Sequence, residues 1–188
     1  MSQNCCAPVD TGQSEEASLK IENCWVPILA DNKGKAVATQ TNRCVTCGQK
    51  GKKVDIITLK AMLDVSLLAL RDVPYLFCPT AACSVVYFAA DGLQSYTKEQ
   101  IRVRVYQKEP GDESVLVCYC FYHSAASIRA ELLATGESTV VEEIAGGIKS
   151  GQCACEVRNP QGSCCLGNVR AVVKRVMNEL GAPATSTL

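Results

Sequence analysis

The sequence predicts an α+β protein in which a small β-rich lobe is followed by a helical lobe. Runs of β-branched and aromatic residues occur in the first part of the chain, and apolar residues at spacings of three and four occur in the last part. The charged segment 109–112 carries Pro110 and Gly111, which together end a strand. We therefore expect a flexible N-terminal arm at residues 1–40, the β-rich lobe at 41–112, the helical lobe at 113–180 and a tail at 181–188.

The β-rich lobe is expected to combine short strands with one short helix. Apolar residues between Leu59 and Leu70 recur at roughly helical spacing and predict this helix. Asp91 and Gly92 are typical of a hairpin turn. The predicted strands are residues 54–58, 75–77 and 85–88, together with the alternating run 101–105.

Three helices are predicted in the second lobe. Ser124 is expected to cap the first helix and Gly136 to end it. Thr139 and Glu142 form a capping-box pattern at the start of the second helix, which Gly151 would end. The third helix has one apolar face, made by Val169, Val172, Val173, Val176 and Leu180.

Charge and hydropathy argue against two classes of partner. Nineteen basic residues balance nineteen acidic ones, so no general field attracts nucleic acid or an anionic membrane. No apolar stretch approaches the roughly 20 residues that span a bilayer. The N-terminal residues lack the basic segment and apolar run of a secretion signal, so we expect a cytoplasmic protein without membrane insertion.

Thirteen cysteines are the most informative feature of the composition. Their number is odd, and a reducing cytosol disfavours a disulfide framework. Free thiols that serve only as small buried side chains are common singly, but they do not account for so many closely spaced pairs. Metal thiolates are therefore the leading interpretation.

The first set of cysteines has the spacing of a zinc site. Cys44 and Cys47 form a CxxC motif, and Cys78 and Cys83 form a second pair thirty residues later. Two such turns can complete a closed tetrahedron of thiolates, which leaves no position for a catalytic water, so the site should be structural. Two alternatives stay open: a thioredoxin-like redox pair at the CxxC, and a mononuclear iron with the same four ligands.

A second set of cysteines predicts a [2Fe-2S] cluster. Cys118 and Cys120 precede the first predicted helix, whereas the pairs at 153/155 and 164/165 lie in the loop before the last helix. If the intervening helices form a hairpin, the two regions meet at one end and can supply two thiolates to each iron. Spacing alone does not choose between Cys153 and Cys155, or between Cys164 and Cys165.

These motifs together resemble a known family. The chain carries CysValThrCys at 44–47, PheCysProThrAlaAlaCysSerValValTyrPhe at 77–88, CysTyrCys at 118–120 and CysGluValArgAsnProGlnGlySerCysCys at 155–165. The helical part resembles the BFD-like [2Fe-2S] domain of bacterioferritin-associated ferredoxins. Residues 42–180 as a whole resemble the N-terminal [2Fe-2S] and zinc domain of the CopZ family of copper chaperones.

The resemblance implies zinc on the first four cysteines and a cluster on Cys118, Cys120, Cys155 and Cys165. Local chemistry favours Cys165, because it lies at the start of the last helix, where free N–H groups stabilise a thiolate. The turn at 159–162 would fold the loop back toward the cluster. Cys153 and Cys164 are expected to be bystanders.

Three cysteines in the N-terminal arm lie outside the shared pattern. Cys5, Cys6 and Cys24 could bind a soft ion such as Cu(I) or Hg(II), because soft metals prefer thiolates. The alternative is an arm that binds no metal.

The resemblance implies a one-electron redox and metal-handling accessory in the homeostasis of copper or another soft metal. Its partners would be a soft-metal ion and a redox or metallochaperone protein. Two alternatives are a sensing or partner-binding module whose cluster is not used for electron transfer, and a thiol buffer formed by the arm. Since no catalytic constellation stands out, we expect an electron-transfer or metal-binding protein rather than an enzyme.

Overall fold

The computed structural model describes residues 41–181, which form a mixed α+β fold. One sheet contains four antiparallel strands in the order β1-β2-β3-β4. These strands are β1 (Lys52–Val54), β2 (Tyr75–Phe77), β3 (Val85–Ala89) and β4 (Ser95–Thr97). Helix α1 (Ile56–Met62) follows β1. The predicted α+β class, with a β-rich first part, is confirmed.

The central strands of this sheet are buried on both faces. Tyr75 and Phe77 of β2 pack into the main apolar core, whereas Leu76, which lies between them, packs with Cys78 in a separate cluster. In β3, Val85 and Phe88 lie in the cysteine cluster, and the residues between them lie in the main core, where the strand has an irregularity in its pairing. The period of two in a strand thus turns one face of the sheet toward the cysteines.

The second part of the chain packs helices against a short hairpin. The hairpin is β5 (Leu116–Cys118) and β6 (His123–Ser124), and the helices are α2 (Ala125–Thr135), α3 (Val140–Lys149), α4 (Cys155–Arg158) and α5 (Leu166–Gly181). Buried apolar residues of α2, α3 and α5 form one core with Val117 and Cys118 of the hairpin. Val169, Val172 and Val176 of the predicted apolar face of α5 are buried, whereas Leu180 near its end is exposed.

Two of the predicted strands do not form. The Asp55 side chain accepts a hydrogen bond from the Ile57 N–H at 3.1 Å, and so begins α1 inside the segment predicted as a strand. Ile101 makes only one isolated bridge, to Leu63, before the chain bends. Local β-propensity is overridden in the first case by a helix cap and in the second by tertiary contacts.

The predicted limits of α2 agree with the structure, but the predicted capping box of α3 does not. Helix α2 begins after Ser124, whose side chain accepts from the Ser127 N–H, and ends at Gly136 in a left-handed conformation. The Thr139 side chain accepts no N–H of its own helix; its N–H and its hydroxyl both donate to the Glu131 carboxylate at 2.8 Å. The predicted capping box is therefore wrong, because a carboxylate of the preceding helix takes its place.

The turn that joins α4 to α5 lies against the sheet and α1. The Tyr87 hydroxyl of β3 donates to the Pro160 carbonyl at 2.5 Å. Gly162 has a left-handed φ of 65°, and a β-carbon there would lie 2.9 Å from atoms of both Thr58 and Val54. Only glycine permits this approach, so Gly162 lets the turn pack directly against β1 and α1.

The predicted arm and nearly all of the predicted tail lie outside the described residues, as do Cys5, Cys6 and Cys24. The boundary between the lobes stays a prediction. No helix within residues 41–181 is long and apolar enough to cross a membrane.

Candidate metal centres

Two tight turns carry the first four cysteines. In the first turn, the Gly48 N–H donates to the Cys44 carbonyl and the Cys44 N–H donates to the Gln49 carbonyl, both at 2.8 Å. Gly48 adopts a left-handed φ of 70°, which lets the chain reverse immediately after Cys47. These contacts hold the two sulfurs of the CxxC motif on one turn.

The second turn connects β2 to β3. Cys78 directly follows β2, and its N–H donates to the Val86 carbonyl at 2.8 Å, which extends the pairing of the strands. The Cys83 N–H donates to the Thr80 carbonyl at 3.2 Å and closes the turn. The two cysteines are therefore placed by the ends of two neighbouring strands.

The four sulfur atoms of this set fit one tetrahedral ion. All four lie within 4.8 Å of one another, with 3.9 Å between the sulfurs of Cys44 and Cys83 and 3.6 Å between those of Cys47 and Cys78. With Zn–S bonds of about 2.3 Å, the edges of a sulfur tetrahedron are about 3.8 Å long. The set therefore has the dimensions that zinc requires.

The ionisation of these thiols also favours a cation at their centre. Burial raises the pKa of Cys44, and it raises that of Cys83 to about 12. Hydrogen bonding with the Thr80 hydroxyl lowers the pKa of Cys47 to about 6. Buried sulfurs this close together oppose one another's negative charge, so four thiolates coexist only around a positive ion.

The second set of cysteines is arranged as two pairs. The sulfurs of Cys120 and Cys155 lie 3.8 Å apart. Cys118 and Cys165 are buried in the same apolar core, and each thiol shifts the pKa of the other. In each pair one cysteine comes from the CysTyrCys segment at the end of β5. The other is Cys155, the first residue of α4, or Cys165, which lies between α4 and α5. Within residues 41–181, only the first set brings three or more ligand atoms within 4.8 Å of one another, so the second set is more extended.

Cys118 and Cys165 differ in acidity. Interaction with the Cys165 thiol lowers the pKa of Cys118 to about 6, and the same interaction together with burial raises the pKa of Cys165. Burial raises the pKa of Cys155 to about 12. The Ala154 N–H donates to the Cys120 sulfur at 3.3 Å. Cys118 therefore carries a negative charge readily, whereas Cys155 and Cys165 lose their protons readily only beside a cation.

The neighbouring cysteines differ in exposure. Cys155 and Cys165 are buried, whereas Cys153 is half-buried and Cys164 is exposed. Cys165 immediately precedes α5, as expected, and its carbonyl accepts from the Val169 N–H at 3.0 Å. The turn before it is closed by the Gly162 N–H, which donates to the Asn159 carbonyl at 2.8 Å.

Sequence reasoning missed Thr80, which contacts a ligand of the first site, and Lys108, which contacts Thr80. Thr80 reaches the Cys47 sulfur through its hydroxyl, at 3.5 Å, and the Lys108 ammonium donates to the Thr80 carbonyl at 2.8 Å. Thr80 could have been predicted from its position between Cys78 and Cys83, because a hydroxyl inside a metal-binding turn lies close to the ligands. For Lys108 there was none, because the burial of a lysine distant in sequence depends on tertiary packing alone.

Comparisons with known proteins agree with this geometry. Residues 41–102 match a family model described as a zinc binding domain, zf_CopZ. The fold is similar to the X-ray structure of the Archaeoglobus fulgidus CopZ N-terminal domain, with a TM-score of 0.57 and 29% sequence identity, over 76% of this chain and 99% of that domain. A sequence comparison with curated proteins gives no match. The similarity and the four-cysteine cluster support metal binding by residues 41–102 and a place in metal homeostasis.

Proposed function

We propose that this chain binds one structural zinc ion and one [2Fe-2S] cluster, and that it acts as a one-electron redox and metal-handling accessory in the homeostasis of copper or another soft metal. The observation that carries the proposal is the convergence of eight cysteines, distant in sequence, into two separate sulfur groups.

Zinc is assigned to Cys44, Cys47, Cys78 and Cys83. The sulfur separations match a thiolate tetrahedron, and three of the four residues are buried, so a bound ion would be shielded from water. Four thiolates fill the coordination of zinc, which supports a structural role for this ion rather than a catalytic one.

The cluster is assigned to Cys118, Cys120, Cys155 and Cys165. Iron in such clusters is tetrahedral in sulfur and takes two thiolates per iron, so two close pairs of cysteines suit it better than one compact group. We infer that Cys118 and Cys165 would hold one iron, and Cys120 and Cys155 the other.

A [2Fe-2S] cluster supplies one-electron transfer when bound. The residues of this chain would hold it, donate the Ala154 N–H to one of its thiolates, and exclude water through the buried side chains around Cys118 and Cys165. The exposed Cys164 and the half-buried Cys153 border the same site and could meet a partner. The proposed role in copper or soft-metal homeostasis comes from the CopZ resemblance. We also propose that residues 41–112 form the zinc-binding lobe and residues 113–180 the cluster-binding lobe.

The test is metal analysis of protein purified without oxygen. We expect about one zinc, two irons and two acid-labile sulfides per chain. Reduction by dithionite should bleach the visible spectrum and produce an electron paramagnetic resonance signal of one unpaired electron. Zinc without iron or sulfide would overturn the cluster and the redox role. Iron in both sites, without zinc, would overturn the zinc assignment.

A further inference from the structure

We propose that the buried ammonium group of Lys108 is the counter-charge of the four-cysteine metal site and determines how tightly that site retains its ion. This inference rests on the proposed zinc site. It concerns a residue that lies twenty-five positions beyond the last of those cysteines and belongs to no metal-binding motif.

Lys108 is connected to the site through Thr80. Only 7% of Lys108 is exposed, and its ammonium donates to the Thr80 carbonyl at 2.8 Å. The same carbonyl accepts the Cys83 N–H at 3.2 Å, and the Thr80 hydroxyl lies 3.5 Å from the Cys47 sulfur. The positive charge is therefore fixed against the turn that carries two of the four ligands.

The lysine has no carboxylate partner in the described part of the chain. None of the ion pairs formed within residues 41–181 includes Lys108. Lysine is almost never buried without a partner, because an uncompensated charge in a poorly solvated site is costly. A single carbonyl also leaves two of the three ammonium N–H donors to be satisfied by other groups.

The metal site supplies the missing charge. A divalent ion bound by four thiolates carries a net double negative charge, and that charge would lie at the turn whose Thr80 carbonyl accepts from Lys108. The attraction between them is strengthened by the low local dielectric constant. The ammonium would therefore stabilise the metal-loaded site and destabilise the same fold without metal.

A simpler role would be to close the turn by the hydrogen bond to Thr80 alone. The two roles differ in what they require of residue 108. Closing the turn requires a donor, charged or not, and stabilises the protein with or without zinc. A counter-charge requires a cation and stabilises only the metal-loaded form.

The test compares zinc retention in Lys108→Met, which loses both donor and charge, Lys108→Gln, which keeps a donor without charge, and Lys108→Arg, which keeps both. The control is Lys98→Met: Lys98 is an exposed lysine whose N–H donates to the Ser84 carbonyl next to Cys83. Zinc release to an excess of chromogenic chelator is followed after anaerobic purification, and zinc content is measured beforehand.

We expect the Met and Gln variants to release zinc about 10- to 100-fold faster than the unmodified protein, the range typical for loss of an outer-shell partner, and the Arg and Lys98 variants to stay close to it. We also expect Lys108→Met to lower the melting temperature of the zinc-loaded protein but not that of the zinc-free protein.

Two results would overturn the inference while the zinc site stands: equal release rates for the unmodified protein and Lys108→Met, or a Gln variant that retains zinc as the unmodified protein does. Absence of zinc from the unmodified protein would instead overturn the proposed function. If the Met variant does not fold, the Gln and Arg variants still decide between charge and hydrogen bond.

Discussion

At the scale of residues, the cysteines of the first site are held in place but not held ionised. Burial favours the neutral thiol at Cys44 and Cys83, and the Thr80 hydroxyl favours a thiolate at Cys47. Metal binding would remove the remaining protons and connect the two turns. The free energy of metal binding is then also free energy of folding.

The first prediction is that Cys78→Ser abolishes zinc binding and destabilises the surrounding fold. Cys78 is fully buried and its sulfur lies 3.6 Å from that of Cys47, so the serine hydroxyl, a much poorer zinc ligand, leaves an incomplete site. Zinc content and melting temperature are the measurements. The matched control is Cys164→Ser, since Cys164 is exposed. One zinc per chain with an unchanged melting temperature in the Cys78 variant would contradict the assignment.

The second prediction concerns the choice among adjacent cysteines in the second set. The Cys155→Ser/Cys165→Ser double variant should lose the cluster spectrum, because it removes one buried thiolate from each close pair. The Cys153→Ser/Cys164→Ser double variant should keep it, because these side chains are more exposed. Visible and electron paramagnetic resonance spectra decide. Loss of the cluster spectrum in the Cys153/Cys164 variant, with retention in the Cys155/Cys165 variant, would contradict the proposed choice of ligands.

At the scale of elements, the first metal turn depends on close packing against β3. A β-carbon at Gly51 would lie 2.6 Å from the Phe88 ring. Gly51 immediately precedes β1, and its N–H donates to the Asn42 carbonyl at 2.7 Å. The absence of a side chain therefore lets the segment around the CxxC turn lie directly on the aromatic ring.

The third prediction is that Gly51→Ala destabilises the protein by about 1–3 kcal/mol, the usual cost of overpacking a filled site, and accelerates zinc release. Chemical denaturation and the chelator assay measure the two effects. Gly111→Ala is the control, since no atom lies within 4 Å of a β-carbon at Gly111 and its φ is not in the left-handed region. Equal stability of the two variants would contradict the packing argument.

At the scale of the whole molecule, the two cysteine sets are joined by polar contacts. Tyr87 of the sheet donates to Pro160 in the turn before Cys165. Tyr119, which lies between two proposed cluster ligands, donates from its hydroxyl to the Arg104 carbonyl at 2.7 Å and accepts the Tyr106 N–H at 3.0 Å. Lys108 follows in the same segment and contacts Thr80, which lies in the turn between Cys78 and Cys83. These contacts connect the segments that carry the two cysteine sets.

The fourth prediction is that Tyr87→Phe releases the cluster faster while zinc content stays unchanged. The substitution leaves the buried Pro160 carbonyl without its donor, at a cost of about 1–3 kcal/mol, and loosens the turn that leads to Cys165. The decay of the visible spectrum in air is the measurement. Tyr122→Phe is the control, because Tyr122 is 67% exposed. Equal decay rates in the two variants would show that the hydrogen bond to this turn does not contribute to cluster retention.

The fold class, the grouping of Cys44, Cys47, Cys78 and Cys83, and the limits of α2 and α5 could all be predicted from the sequence. Caps such as Ser124 and Gly136 act within a few residues, and the spacing of Val169, Val172 and Val176 repeats with the helical period. Cysteine spacing is similarly local within each turn. Such features are legible in sequence because the interactions that specify them span only a few residues.

Tertiary contacts set which of the adjacent cysteines are buried, keep segment 101–105 from forming a strand, and place Lys108 inside the protein. Neighbouring residues have nearly the same local sequence but point in different directions, and the path of the whole backbone sets which one faces the core. The burial of a lysine likewise depends on a carbonyl twenty-eight residues away, at Thr80. Contacts between distant segments decide these features, and no local pattern encodes them.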